Sequence, residues 1–260
     1  MTRLRPVPAA TRAAAARADD ALLRPVRQGN AFEETIERVL QVIKLGVVPV
    51  GDRLPPERDL AQRLGVGRVT LREAIRALQD AGYVESRRGR YGGTFVRAAP
   101  PASTGHEAAA RGTAKLSSAA RLMSDRLHDV LGFRHVLETG AAEHAAARAH
   151  TRAEADHLRA MLAQTANARP EHYRRCDARL HLAVAELSGS ASITAAVADA
   201  RTALNELLDA IPLLEHNIRH SDRQHRRIVA SILDGRQSAA RAAMDEHLDG
   251  TASLLRAFLQ

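Results

Sequence analysis

Residues 47–96 read VVPVGDRLPPERDLAQRLGVGRVTLREAIRALQDAGYVESRRGRYGGTFV. Pro56 marks the start of a short helix that repeats Leu60, Ala61 and Leu64, and LGVG at 64–67 supplies a turn. A helix from about Arg68 places Leu71, Ala74, Ile75 and Leu78 on one face and stops at Gly82. Two β-like runs, YVESR and GTFVR, then flank RGRYGG. Upstream, Ile36, Val39, Leu40 and Ile43 recur at helical spacing. The order is helix, helix, turn, helix, hairpin.

Outside this stretch the composition sets bounds. The 260 residues exceed a single domain of about 100–150 residues, so two domains are expected. Alanine and arginine dominate, aromatics make up 3% and tryptophan is absent, which favours small-residue helices over aromatic-rich sandwiches. The net charge of +8 divides as +4 over residues 1–29, +3 over 30–97 and +1 over 98–260. Such a skew suits a polyanion or an anionic surface, and it also suits a solvated basic tail. The single cysteine, Cys176, excludes an internal disulfide and fits a reducing compartment. No run approaches the roughly 18 apolar residues of a membrane span, so a cytoplasmic protein without membrane contact is expected.

Residues 1–29 show no sustained apolar periodicity and read as a disordered basic arm. Residues 30–97 form the first domain, and 98–118, rich in Pro, Ser, Thr, Gly and Ala, read as a linker. From 119 to 260 only helices are expected, at about 119–150, 152–166, 171–188, 190–210, 213–234 and 236–258, punctuated by Pro170 and Gly235. The fold class is mainly α, with the mixed N-terminal module followed by an antiparallel helical bundle.

Arg68, Arg72 and Arg76 fall one turn apart beside the apolar face of their helix. The planar guanidinium fork suits guanine edges and phosphates, and the helix N-terminus favours anions. Arg87, Arg88 and Arg90 crowd the glycine-rich hairpin tip, which suits a narrow minor groove. With these residues, 32–96 resembles the winged helix-turn-helix of the GntR family of bacterial transcription regulators. The resemblance implies double-stranded DNA as partner, with contacts from Arg58, Arg68, Thr70 and Arg72 and from a wing at Arg88, Gly89 and Arg90. Gly67 stands where that family usually has a capping serine, and glycine is a tolerated cap.

In the second half, YRRCDARLHLAVAELSG at 173–189 puts Asp177 and His181 one turn apart among Tyr173, Leu180 and Val184. Such a pair can ligate a metal, hydrogen-bond in a core or lie exposed. His225 and His247 likewise stand on faces shared with Ile228, Val229, Ile232, Ala243 and Met244. Buried without partners they would cost about 1–3 kcal/mol each, so they are expected to meet one another, water or an ion, and together with Asp177 and His181 they could supply one carboxylate oxygen and three imidazole nitrogens.

The segments DARLHLAVAELSGS and RQHRRIVASILDGRQSAARAAMDEHL resemble the FCD effector domain of the FadR subgroup of GntR regulators. That resemblance implies a divalent metal, zinc, nickel or manganese, on Asp177, His181, His225 and His247, and a homodimer. It further implies an effector carboxylate held by Arg134, whose ordinary alternative is an i,i+4 ion pair with Glu138. The function so implied is a ligand-responsive, dimeric regulator, most simply a repressor, that binds a pseudo-palindromic operator and senses a small organic acid. Two alternatives are a helical domain that only dimerises and a metal-dependent hydrolase joined to a DNA-binding domain. His216 and His220, a turn apart, could line the pocket, but are rather expected to be exposed.

Overall fold

The computed structural model describes residues 25–26, 29–44, 47–89, 92–97 and 113–260, with side chains of the first long C-terminal helix from Ser124 onward. The chain divides into two compact units, Met1–Ala102 and Ser103–Gln260.

In the first unit, α1 (Ala31–Lys44) turns Phe32, Ile36, Val39, Leu40 and Ile43 inward, the i, i+3, i+4, i+7 pattern that makes an amphipathic helix. α2 (Glu57–Leu64) buries Leu60, Ala61 and Leu64 and ends where Gly65 takes a positive φ of 64°. There the Gly65 N–H closes the last turn onto the carbonyls of Ala61 and Gln62. α3 (Arg68–Asp80) buries Leu71, Ala74, Ile75 and Leu78 and packs on α1 and α2. β1 (Val84–Arg87) and β2 (Gly93–Val96) pair antiparallel with Val84 opposite Val96 and Arg87 opposite Gly93. Residues 51–54 run along the free side of β2, joined by Gly51 N–H to Val96 O and Leu54 N–H to Thr94 O.

Gly67 occupies the N-cap of α3 with an extended backbone and no side-chain cap. A Cβ there would meet only Thr70 Oγ1, at 3.8 Å. Gly67→Ser should therefore raise the unfolding free energy by a few tenths of a kcal/mol, measurable by urea denaturation as a higher midpoint at unchanged slope.

Among the described residues the second unit is all helix: α4 (Thr113–Ala147), α5 (Arg152–Ala166), α6 (Pro170–Leu187), α7 (Ala191–Leu208), α8 (Glu215–Leu233) and α9 (Gln237–Leu259). Thr151 and Glu154 close a reciprocal capping box on α5, Pro170 opens α6 and the Ser190 hydroxyl accepts from Ile193 N–H at the head of α7. The core is built from Ala142, Ala145, Leu158, Leu180, Val184, Ile228, Ile232, Met244 and Leu248. Alanines at the helix contacts let α4 lie close against α6, α7 and α9.

Two expectations need correction. α4 begins at Thr113, inside the stretch expected to be linker, because TAKLSS carries no helix breaker. The expected basic arm lies mostly outside the described residues, but Val26 N–H donates to Leu64 O and Pro25 lies against Gly65, so its end is tied to α2. No helix among the described residues is long and apolar enough to cross a membrane.

Candidate functional site

On the first unit, α3 keeps its apolar stripe inward and so presents Arg68, Arg72 and Arg76 outward, all exposed, with Thr70 half-buried between them. Arg58 is exposed on α2, and Arg88 and Gly89 are exposed at the hairpin tip. Arg90 lies outside the described residues. Arg72 Nε sits 3.1 Å from Glu57 Oε2, so the first residue of α2 steers a side chain of α3. The Arg87 guanidinium stacks over Phe95, 4.4 Å from the ring centroid, and holds the base of the wing. Val69 was not anticipated: it is 71% exposed beside Arg68. Its signal was its phase, since it falls off the Leu71, Ala74, Ile75, Leu78 stripe.

On the second unit, α6, α8 and α9 bring Asp177, His181, His225 and His247 together, with one ligand atom from each lying within 4.8 Å of all the others. His225 Nε2 is 3.2 Å from both His247 Nε2 and Asp177 Oδ1, and His181 Nε2 is 3.8 Å from Asp177 Oδ1. Atoms bound at about 2.0–2.1 Å in a tetrahedron stand roughly 3.3 Å apart, so these separations suit a shared cation.

The surroundings orient the rings. His181 Nδ1 lies 2.5 Å from Glu138 Oε2, and His247 Nδ1 lies 3.1 Å from Gln224 Oε1. A proton on each Nδ1 turns both Nε2 lone pairs inward, the arrangement that fixes a ligating imidazole. His181 Nε2 is buried with no hydrogen-bond partner. That orphaned inward lone pair, a second lone pair on His247 and the Asp177 Oδ1 that faces them make the donor set a good fit for a divalent metal.

Burial penalises the Asp177 carboxylate, but the Arg201 guanidinium and His181 outweigh it and hold the group well below the usual carboxylate range. Burial likewise works against Glu138, and Arg134, His181 and Arg201 together hold it low. Burial pushes His181 down, opposed by Glu138, and pushes His247 well down, reinforced by His225 and His181. These carboxylates are charged and these two imidazoles neutral near pH 7, as ligation requires.

Beside the tetrad a cavity is lined by Arg134, Tyr173, Asp177, Arg201, Ser221 and His247, with Ile211 to Leu214 along its rim. Arg134 is 2% exposed and pairs through Nε with Glu138 Oε1 at 3.1 Å, so the i,i+4 ion pair and the cavity position hold together. Its Nη1 has no hydrogen-bond partner. His216 and His220 are half-buried rather than exposed.

Sequence reasoning missed Arg201, 2% exposed on α7, whose Nη2 pairs with Asp177 Oδ2 and leaves Oδ1 to the tetrad. It also missed Gln224 and the contact of Glu138 with His181. The available signal was an arginine in register with Val197 and Leu204 on the buried face of α7.

A winged helix with an outward arginine stripe, joined to a helical unit with a buried donor tetrad, defines a DNA-binding protein with a sensor-like second domain. Residues 32–96 match the family described as bacterial regulatory proteins, gntR family, and residues 129–250 match the FCD domain. Between them the two matches span well over half of the chain, which therefore belongs to the GntR family of bacterial regulators, with an FCD domain in the arrangement of the FadR subgroup. It is a transcription regulator.

A regulator of Escherichia coli K12, described as an L-lactate dehydrogenase operon regulatory protein, is 29% identical over 87% of this chain and 86% of its own. The Bacillus subtilis regulator YcbG is 26% identical over 88% and 92%. The Mycobacterium gastri regulator RmpR is 45% identical over 83 residues, which are 32% of this chain and 30% of that protein. Among solved structures, Streptococcus agalactiae GntR is 24% identical with a TM-score of 0.44, covering 85% of this chain and 98% of that one.

Proposed function

We propose that the chain is a dimeric, ligand-responsive regulator, acting as a repressor, whose winged helices bind a pseudo-palindromic operator and whose helical domain senses a small organic acid. The single observation that carries this reading is the buried tetrad, two members of which, Asp177 and His247, line a cavity together with Arg134, whose Nη1 has no hydrogen-bond partner. Asp177, His181, His225 and His247 would hold a divalent metal, which supplies Lewis-acid attraction for a carboxylate. Arg134 then orients that carboxylate with a charge-assisted hydrogen bond. The Escherichia coli relative, described as an L-lactate dehydrogenase operon regulatory protein, agrees with an acid of that size. Arg58, Arg68, Thr70, Arg72, Arg88, Gly89 and Arg90 would contact DNA, and Val69 offers an isopropyl group suited to a thymine methyl.

The test is operator binding by the zinc-loaded full chain with and without short carboxylates. Arg72→Ala should weaken binding by about 1–3 kcal/mol, while Arg134→Ala should bind DNA normally and no longer respond to the acid. An acid response that persists in Arg134→Ala would sink the effector assignment.

Dimerisation is supported by the outer face of α4, where Phe133 is 48% and Val136 70% exposed and Gly132 and Gly140 leave open space. Large apolar groups clustered beside small residues favour a second helix. Phe133→Asp should shift the protein from dimer to monomer in sedimentation, and an unchanged dimer would place the interface elsewhere.

A further inference from the structure

The segment that leads into α2 runs along the free side of β2 and places one arginine on the wing. Val96 N–H donates to Asp52 O, Leu54 N–H donates to Thr94 O, and Arg53 stands opposite Phe95 in an antiparallel bridge. Partners across strands project from the same face, and the face alternates along a strand. Arg53, Phe95 and Glu85 therefore share the face opposite the one that Val84 and Val96 bury. Arg53 is exposed, yet its side chain is held. It lies across Gly93, where a Cβ would come within 2.2 Å of Arg53 Nε and 2.8 Å of Cζ. A side chain at position 93 would push the guanidinium away.

The charge so placed is unmatched. Arg72 pairs with Glu57, and Arg87 and Arg97 share Glu85. Among the described residues Arg53 has no carboxylate partner. It lines a groove together with Glu57 at the head of α2 and Gly89 at the hairpin tip, so the groove lies between the elements that carry Arg58 and Arg88. An arginine that swings in solvent loses entropy on capture, and packing on Gly93 has already removed part of that freedom. Position also selects the ligand atom. Arg53 flanks the hairpin stem rather than its tip, so when the tip enters a groove of the duplex the stem meets the sugar-phosphate wall beside it.

We infer that Arg53 is a further DNA contact, a phosphate-binding arginine that grips the backbone beside the groove entered by the wing tip, with Gly93 as its seat. This deepens the DNA-binding reading and rests on it. The contact carries no base preference. It strengthens binding by displacing a counterion from the duplex at each wing.

The test is a salt titration of DNA binding by the full chain, using a duplex that the wild type has enriched from a random pool. Wild type is compared with Arg53→Gln, which spans Gly93 without a charge, and with Arg53→Lys, which keeps the charge without the fork. Arg53→Gln should bind about tenfold more weakly at low salt, and its slope of log K against log salt should be shallower by about 0.9 for each wing engaged. Arg53→Lys should keep the wild-type slope. An unchanged slope in Arg53→Gln overturns the inference even if affinity falls, because loss of a strut or of a base contact would lower affinity alone. A slope for Arg53→Lys as shallow as that of Arg53→Gln overturns it too, since a phosphate accepts either cation. Should wild type enrich no duplex at all, the DNA-binding reading fails and the inference with it.

Discussion

Glu138→Gln should destabilise the C-terminal unit by about 3–5 kcal/mol, the cost of breaking a buried ion pair from one side. Glu138 is 1% exposed and faces three cationic or donor groups: Arg134 Nε at 3.1 Å, His181 Nδ1 at 2.5 Å and Arg201 Nη1 at 3.8 Å. A glutamine keeps the shape but removes the charge and directs its own N–H groups at other donors. Two buried guanidiniums would then share one carboxylate, Asp177. Urea denaturation gives the loss directly. Glu206→Gln, which breaks the exposed pair with Arg126, serves as comparison and should cost about 1 kcal/mol or less. Similar losses for the two variants would mean that the buried network is far more hydrated than its burial indicates.

The second large effect is expected on removal of the proposed metal. A cation that binds only the folded state stabilises by about 4 kcal/mol at a thousandfold excess over its Kd. For a unit of this size each kcal/mol moves Tm by about 2–4 °C, so chelation should lower Tm by roughly 8–16 °C. His181→Ala should begin at a lower Tm and respond little to chelator. Equal chelator response in both proteins would remove the tetrad as the metal site.

Much of this was legible in the sequence, for identifiable reasons. Helix positions followed from apolar periodicity and from Pro170 and Gly235. Asp177 and His181 were legible because a spacing of four residues is itself a statement about one helix face. His225 and His247 stood out as polar groups on apolar faces, although nothing in their spacing says that α8 and α9 bring them to the same point. Glu138 was legible only as the i,i+4 partner of Arg134, because its contact with His181 joins α4 to α6 and depends on how those helices cross. Arg201 was silent for a related reason. An arginine on an alanine-rich helix is ordinarily solvated, and only the carboxylates arriving from α4 and α6 make its burial tolerable.

The bare N-cap of α3 reaches beyond the free protein. Gly67 offers no side-chain oxygen to the N–H groups at the head of the helix, which are therefore left to water in solution. A DNA phosphate seated at that end would complete the helix from outside, doing for α3 what a serine side chain does from within. On this view part of the ordering of the first turn would wait on DNA. Amide exchange in the first turn should slow on DNA more than at the helix centre, and Gly67→Ser should narrow that difference by competing with the phosphate for the same donors.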